Sequence, residues 1–498
     1  MKLSVQKGDL TQQKCDLLVV NQFEEQKGVG GATGAVDKAL GGLVSDVMKE
    51  EHFTGALGST VLIRPPKGSK MKRVVVVGLG KKKDFGEEAV RQAAAVSLNA
   101  AKAMKAKRVC SILHGAGMGG LNPRICGKAI AEGALLASYD FAKYKAKEVA
   151  KRPDTFDVVT IDGKAIRPAT DGVALGETYA RATILSRDLV NEPAQHMRPI
   201  DLVNAAREVA KASKGKVKLK VFDKAQLERM GAGGILGVSR GSDHDPFMVH
   251  LIYRGTRGTK KIALVGKAIT FDTGGISLKP ADAMMTMKLD MAGAAAVIGA
   301  FSALTALKPN VEVHGIFGAC ENMPSGKAIV PGDVVRAMNK KTIEVLNTDA
   351  EGRVTLADTL TYAVKQKPNV IIDLATLTGA VMVALGEEVA GVMANDPKVA
   401  QKVLAAAEQA GENMWELPLE KNYVKLLKSE VADLKNIAGR YGGAITAGLF
   451  LAEFVDDVPW AHLDIAGPAF AEKPLNPYTK HGGTGFGVRT LLELVRSF

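Results

Sequence analysis

Along the first 165 positions, apolar residues cluster in short β-branched runs separated by alanine-rich segments. The runs are Leu17-Leu18-Val19-Val20, Val74-Val75-Val76-Val77 and Val158-Val159-Thr160-Ile161, and Glu88 to Ala106 is one of the spacers. Runs without polar alternation suit strands buried on both faces, and their alternation with helical segments predicts an α/β layer structure. The patch Lys151-Arg152-Pro153-Asp154 and the turn Asp162-Gly163 mark its end near 165. Residues 166–190 read as a connecting helix, with Gly176 to Val190 stopped by Asn191-Glu192-Pro193. Stronger strands follow at Lys261 to Val265, Val311 to Phe317, Asn369 to Leu374 and Trp460 to Ile465. Helices at Ala292 to Leu307, Leu356 to Lys365 and Pro397 to Ala410 separate them, the last with Asp396 as N-cap and Pro397 in its first turn. A second, larger α/β domain over 191–498 is expected.

Composition narrows the class. With 498 residues, 46% hydrophobic and 24% charged, the chain is folded and long enough for two or three domains with their own cores. Cys15, Cys110, Cys126 and Cys320 form no CxxC or close pair, which argues against a disulfide scaffold, a thiolate zinc site and an iron–sulfur cluster. The start MKLSVQKGDL lacks the charged-then-apolar pattern of a signal peptide, so a cytoplasmic address is expected. The apolar stretch Met291 to Leu307 is shorter than the ~20 residues of a spanning helix; a buried soluble helix and no membrane association are expected. Residues 1–165 hold 27 basic and 17 acidic side chains, against 39 and 36 in the remainder, so the first third carries most of the +13 net charge.

Candidate chemistry lies in the larger domain. The strand ending at Val265 runs into GKAITFDTGGISLKP, which places Lys267, Asp272 and Lys279 among glycines, after a strand end where open α/β sheets bind ligands. Asp290 leads into an Ala/Gly-rich helix that would bury it, and a buried carboxylate needs a partner or a metal. In NTDAEGR, Asp349, Glu351 and Arg353 are two apart and would share one side of an extended segment. Three Asp and one Glu without histidine suit a hard or borderline divalent ion, and four carboxylates are enough to bridge two. Taken singly, each also fits an ordinary surface charge or cap.

The strings GKAITFDTGGISLKP, MKLDMAGAAA, ENMPSGKA, NTDAEGR and WAHLDIAG, in this order, together with DLVNEPAQHM at 188–197 and GGTGFGVRTL at 482–491, resemble the leucyl (cytosol) aminopeptidase family. The resemblance implies a smaller, macro-like N-terminal α/β domain and a larger C-terminal α/β domain with a central mixed sheet flanked by helices. It also implies two divalent ions per subunit, Mn²⁺ or Zn²⁺. Asp272 and Glu351 would contact both, Asp349 the exchangeable one, and Lys267 with Asp290 the tighter one. A bridging water would attack as hydroxide, Lys279 would stabilise the oxyanion, and Arg353 would hold a bicarbonate that relays the proton. Met287, Thr376, Leu377 and Ala466 would line the pocket for the first side chain, implying peptide substrates beginning with Leu or Met. A homohexamer is the implied assembly. Ala268, Thr273 and Met285 depart from the family's usual residues without removing a ligand, and His462 is expected to be a hydrogen-bonded structural residue.

Two features point elsewhere. Gly115-Ala116-Gly117-Met118-Gly119-Gly120 fits GxGxxG after a strand, but Asn122-Pro123 interrupt the helix that a dinucleotide fold requires, so a tight loop is expected. Lys81-Lys82-Lys83 likewise reads as a solvated loop. The basic N-terminal domain, with Lys102, Lys105, Lys107 and Arg108 clustered, raises DNA binding as a second function class, one found in some bacterial members of the family. Few aromatics and no reading helix favour a solvated basic face.

Overall fold

The computed structural model describes residues 1–146, 151–255 and 260–498. The chain divides into two compact units, residues 1–181 with 474–480, and residues 182–473 with 481–498.

The first unit is a six-stranded sheet of β1 (Lys2–Lys7), β2 (Leu17–Gln22), β3 (Thr60–Ile63), β4 (Val74–Gly78), β5 (Arg108–Ile112) and β6 (Thr155–Thr160), in the order β1-β6-β5-β2-β4-β3. All neighbours are parallel except the edge strand β3. Leu17 to Val20 and Val74 to Val77 are buried throughout, as strands covered on both faces must be. Helices α1 (Gly31–Ala39), α2 (Leu43–Glu50), α3 (Glu87–Ala103) and α4 (Pro123–Ser138) supply the cover. The fully buried Arg91 of α3 is tied to Glu132 of α4 at 2.7 Å, which keeps the charge paired where water cannot reach it.

His114, just after β5, is buried between Asn21 Nδ2 (2.8 Å) and Ser111 Oγ (2.9 Å). Burial lowers its imidazole to about 4, whereas the unfolded chain takes up that proton near ~6.5. The neutral ring therefore stabilises the fold above the unfolded value, and that contribution, about 3 kcal/mol, is lost as pH falls through the folded one. Thermal melts from pH 7 to pH 4 check this, with a flatter acid limb expected for His114→Gln.

The helix expected over 166–190 is α5, which runs Ile166–Asn191 and so begins well before the Gly176 start of its more regular part. In the second unit the sheet comprises β7 (Val217–Phe222), β8 (Phe247–Tyr253), β9 (Lys261–Asp272), β10 (Glu312–Asn322), β11 (Val370–Ala375), β12 (Ala390–Ala394), β13 (Met414–Glu416) and β14 (Trp460–Asp464). Its order is β13-β12-β14-β11-β9-β10-β8-β7, with β14, β11, β9 and β10 parallel at the centre, β12, β8 and β7 joined antiparallel, and the edge strand β13 parallel to β12. Helices α6 (Ala292–Leu307), α7 (Glu351–Val364) and α8 (Pro397–Ala410) flank it, and Asp396 caps α8 by accepting from the Lys398 amide at 2.8 Å. The stretch Met287–Leu307 is apolar enough by composition to cross a membrane, but 78% of its most apolar window is buried within the fold, as befits a core helix.

Candidate metal centre

Six of the residues singled out from the sequence, Lys267, Asp272, Lys279, Asp290, Asp349 and Glu351, converge at the carboxyl ends of the central parallel strands, where open α/β sheets place ligands. Lys267 and Asp272 lie on β9 itself; the strand does not stop at Val265 but continues to Asp272, because β10 pairs with it as far as Asp272. Asp290 sits in a 3₁₀ turn, Met287–Met291, directly before α6. A Cβ at Gly293 would lie 2.1 Å from the Leu374 carbonyl oxygen and 2.9 Å from the Lys267 amide, so only glycine lets this turn approach β9 and β11 closely. Glu351 and Arg353 are not extended, as their spacing suggests, but occupy the first turn of α7. A Cβ at Gly352 would meet Lys267 Cε at 2.4 Å, so the bare backbone leaves the channel through which Lys267 reaches the centre.

Asp272, Asp290 and Glu351 are all buried, and each offers an oxygen within 4.8 Å of the others. Lys267 Nζ lies 2.7 Å from Asp290 Oδ1 and 2.9 Å from Glu351 Oε1, and donates to the Thr376 carbonyl at 3.0 Å. Lys279 Nζ lies 2.8 Å from Asp272 Oδ2 and 2.5 Å from Asp349 Oδ1. Burial by itself lowers the pKa of both ammoniums, but Asp290 and Glu351 around Lys267, and Asp272 and Glu351 around Lys279, outweigh it and hold both above the usual lysine range. Burial raises the carboxyl groups of Asp290, Glu351 and Asp349, only partly offset by the lysines. Four carboxylates thus face two ammoniums in a largely buried site, an excess of negative charge.

That donor set fits divalent cations. Among the described residues Asp290 Oδ2 and Glu351 Oε2 are buried without a hydrogen-bond partner, a cost that a bound cation would relieve. Oxygen-rich donors with one amine suit a hard or borderline ion.

Arg353 is also buried; its Nη1 donates to the Asn436 carbonyl at 2.8 Å and its Nε has no partner among the described residues, with burial lowering its pKa to about 10. Thr376 Oγ1 donates to Asp290 Oδ1 at 2.7 Å, so this residue positions a carboxylate as well as standing at the end of β11. The amides of Leu377 and Ala466 donate to one oxygen, Asp464 Oδ1, at 3.1 and 3.3 Å, which draws these two loop residues together. Met287 opens the turn that carries Asp290 and is half-buried. His462 is buried and bonded through Nδ1 to Asp373 Oδ1 at 2.6 Å, as expected of a structural histidine.

Three residues with supporting roles escape sequence reasoning. Asn322 donates both to Asp272 Oδ1 (2.8 Å) and to the Thr348 carbonyl (2.9 Å), Asn436 braces Asn347 and Arg353, and Asp464 organises Leu377, Thr378 and Ala466. Asn322 and Asp464 stand inside the strings ENMPSGKA and WAHLDIAG, which is the signal that could have found them. Thr273 keeps its turn through its hydroxyl, donating to the Asn322 carbonyl at 2.8 Å and accepting from the Gly275 amide. In the N-terminal unit, Gly115 to Gly120 form a loop between β5 and α4, and part of the basic cluster is neutralised within the fold, Lys102 by Asp140 (2.5 Å) and Arg108 by Asp157 (2.9 Å).

Comparison with known proteins gives consistent matches over both units. The description "Cytosol aminopeptidase family, catalytic domain" fits residues 184–492, and "Cytosol aminopeptidase family, N-terminal domain" fits residues 19–148. A probable cytosol aminopeptidase of Alkaliphilus oremlandii is 42% identical over 500 residues, covering 100% of this chain and 99% of its own. Among solved structures, a tomato leucine aminopeptidase variant is similar with a TM-score of 0.90 at 36% identity, over 100% of this chain and 97% of that one. The bottromycin maturation enzyme BotP in complex with Mn has a TM-score of 0.86 at 36% identity, over 97% and 99%.

Proposed function

The chain belongs to the cytosol aminopeptidase family and is an aminopeptidase, and from this premise we propose that it removes N-terminal residues, Leu and Met in preference, from peptides, using two divalent ions. The observation that carries the reading is the buried convergence of Asp272, Asp290 and Glu351 with two carboxylate oxygens left unpartnered. Lys267, Asp272, Asp290, Asp349 and Glu351 would hold the ions. Asp290 and Lys267 are almost wholly enclosed, which suits the tighter ion, whereas the Asp349 side chain is 33% exposed, which suits the exchangeable one. Mn²⁺ or Zn²⁺ held there would acidify a water and polarise the scissile carbonyl, and Arg353 would hold a bicarbonate able to pass on a proton.

The chain's own groups then have distinct tasks. Lys279, at the more open end, offers an ammonium to the carbonyl oxygen as negative charge grows there. Arg353 aims an unpartnered Nε from the first turn of α7, a place that favours a planar anion. Leu377 and Ala466, held by Asp464, together with Met287 and Thr376, form an apolar wall for the first side chain. One methylene in such a pocket changes selectivity by only ~10–200-fold, so the preference is broad.

Equilibrium dialysis of chelated protein against Mn²⁺ tests the ion count. Two ions per chain are expected, with Asp349→Asn retaining one; a wild-type plateau at one ion would refute the two-ion reading. Lys279→Ala is expected to lower kcat ~10²–10³-fold with little change in KM, since its contact strengthens only in the transition state. Steady-state kinetics with a leucine anilide distinguish this from a loss expressed in KM.

A further inference from the structure

The N-terminal unit contains a cavity of about 430 Å³, within the range of small-molecule sites, walled by the carboxyl ends of its parallel strands. From β2 the chain moves outward to β3 and β4, and from β5 outward to β6 on the other side, so the connections diverge between the neighbouring strands β2 and β5. In open parallel sheets such a switch point opens a crevice for a ligand. Here it is covered by the loop entering α1 and by the Gly115–Gly120 loop, which meet where a Cβ at Gly30 would lie 3.7 Å from Met118 Sδ.

The cavity has two chemically different ends. Over β2 and β5 the groups are donors. Among the described residues the amides of Gly117, Met118 and Gly119 have no acceptor, and neither do those of Gly31, Ala32 and Thr33, because α1 follows Gly30, which offers no side-chain cap, and has no acidic residue in its first turn. Side chains built at Gly31 or Gly117 would meet nothing within 4 Å, so both loops present bare backbone to open space. Such clustered amides hold phosphate oxygens. The neighbouring helix α4 is not part of this device, because Asn122 already caps it by accepting from the Arg124 amide at 2.9 Å; a dinucleotide-fold arrangement is thereby excluded. At the other end, after β1 and β6, stand the carboxylates of Asp9 and Asp162, which also cap local turns. Leu10, Ile112 and Val159 make the apolar wall between, and Ile161 and Met118, 79% and 52% exposed, flank it.

An anionic end on amides, an apolar middle and an acceptor end for hydroxyls or an amine describe a nucleoside phosphate. We propose that this cavity binds a nucleoside diphosphate, with its phosphates on the amides of residues 117–119 and 31–33 and its nucleoside toward Asp9 and Asp162. This site is separate from the peptidase centre and does not depend on the reading of that centre.

Isothermal titration of the full chain with ADP, adenosine and pyrophosphate tests the proposal. One ADP per chain is expected, with adenosine and pyrophosphate each at least about tenfold weaker because each fills one end only. Gly117→Leu, at a position with ordinary backbone angles and free space, fills the cavity and should weaken ADP by at least about tenfold while leucine anilide hydrolysis is unchanged. Absence of saturable ADP binding, or binding undiminished in Gly117→Leu, would overturn the site; pyrophosphate binding as tightly as ADP would overturn the nucleoside end. Should the variant misfold, hydrogen exchange on the wild type decides: ADP must slow the amides of 117–119 and 31–33, and unchanged exchange there rejects the proposal.

Discussion

Asp272→Asn and Glu351→Gln are each expected to lower kcat/KM for a leucine anilide at least ~10³-fold, a loss of about 4 kcal/mol in transition-state stabilisation, without unfolding the chain. Both carboxylates stand at the middle of the buried group, Asp272 on a central strand and Glu351 at the first position of α7. An amide of the same shape keeps the packing but gives up the charge that makes the oxygen a strong ligand. The stability of the metal-free protein should behave in the opposite way. Four carboxylates share two ammoniums, burial already raises the carboxyl group of Glu351, and Lys267 retains Asp290 at 2.7 Å and the Thr376 carbonyl at 3.0 Å when Glu351 is neutralised. The metal-free Glu351→Gln melting temperature is therefore expected to equal or exceed that of wild type, so calorimetry alongside kinetics separates a lost ligand from a broken fold. A variant inactive only because it has unfolded would contradict this account.

Lys267→Met should also abolish turnover, and here the metal-free fold is expected to suffer by about 3–5 kcal/mol, because removing one partner leaves buried charge uncompensated. Lys267 Nζ makes three contacts, to Asp290, Glu351 and the Thr376 carbonyl, and a methionine thioether replaces none of them as a cation or strong donor. Burial pushes the carboxyl groups of Asp290 and Glu351 upward, so on acidification they take protons earlier than ordinary carboxylates. The deficit of the variant relative to wild type should consequently be largest near neutral pH and shrink as pH falls toward 5, which denaturant titrations at two pH values will read. A constant deficit would mean that Lys267 serves packing rather than charge. In wild type the same carboxylates favour the ammonium form, so a lysine that ligates a metal must release its proton as the ion enters.

The buried strands were legible because their signal is local. Leu17 to Val20, Val74 to Val77 and the 461–464 run are apolar or tightly paired whatever surrounds them, and Asp396-Pro397 announces a helix start by its own chemistry. Lys267 was harder to place. Gly266 interrupts the β-branched pattern, and beyond it only the pairing with β10 keeps the backbone extended to Asp272, since β11 pairs with β9 no further than Gly266. The two-residue spacing of Glu351 and Arg353 suggests an extended segment, yet α7 begins at Glu351, since the helix packs against the sheet and that gain lies outside the local sequence. The four carboxylates were identifiable as chemistry, but their meeting depends on Gly293 and Gly352 permitting contacts between segments far apart in the chain. Asn322, Asn436 and Asp464 give no periodic signal for a related reason: each acts on backbone groups or on another side chain, and only the strings ENMPSGKA and WAHLDIAG point to Asn322 and Asp464.

The most direct test of the central claim is hydrolysis of a leucine anilide by protein first stripped with a chelator and then given Mn²⁺ or Zn²⁺ in bicarbonate buffer, beside an N-acetylated control. The account predicts no turnover without metal, restored turnover on reloading, and none at any stage with the blocked amine. Turnover by the stripped protein, or equal cleavage of the acetylated substrate, would contradict it.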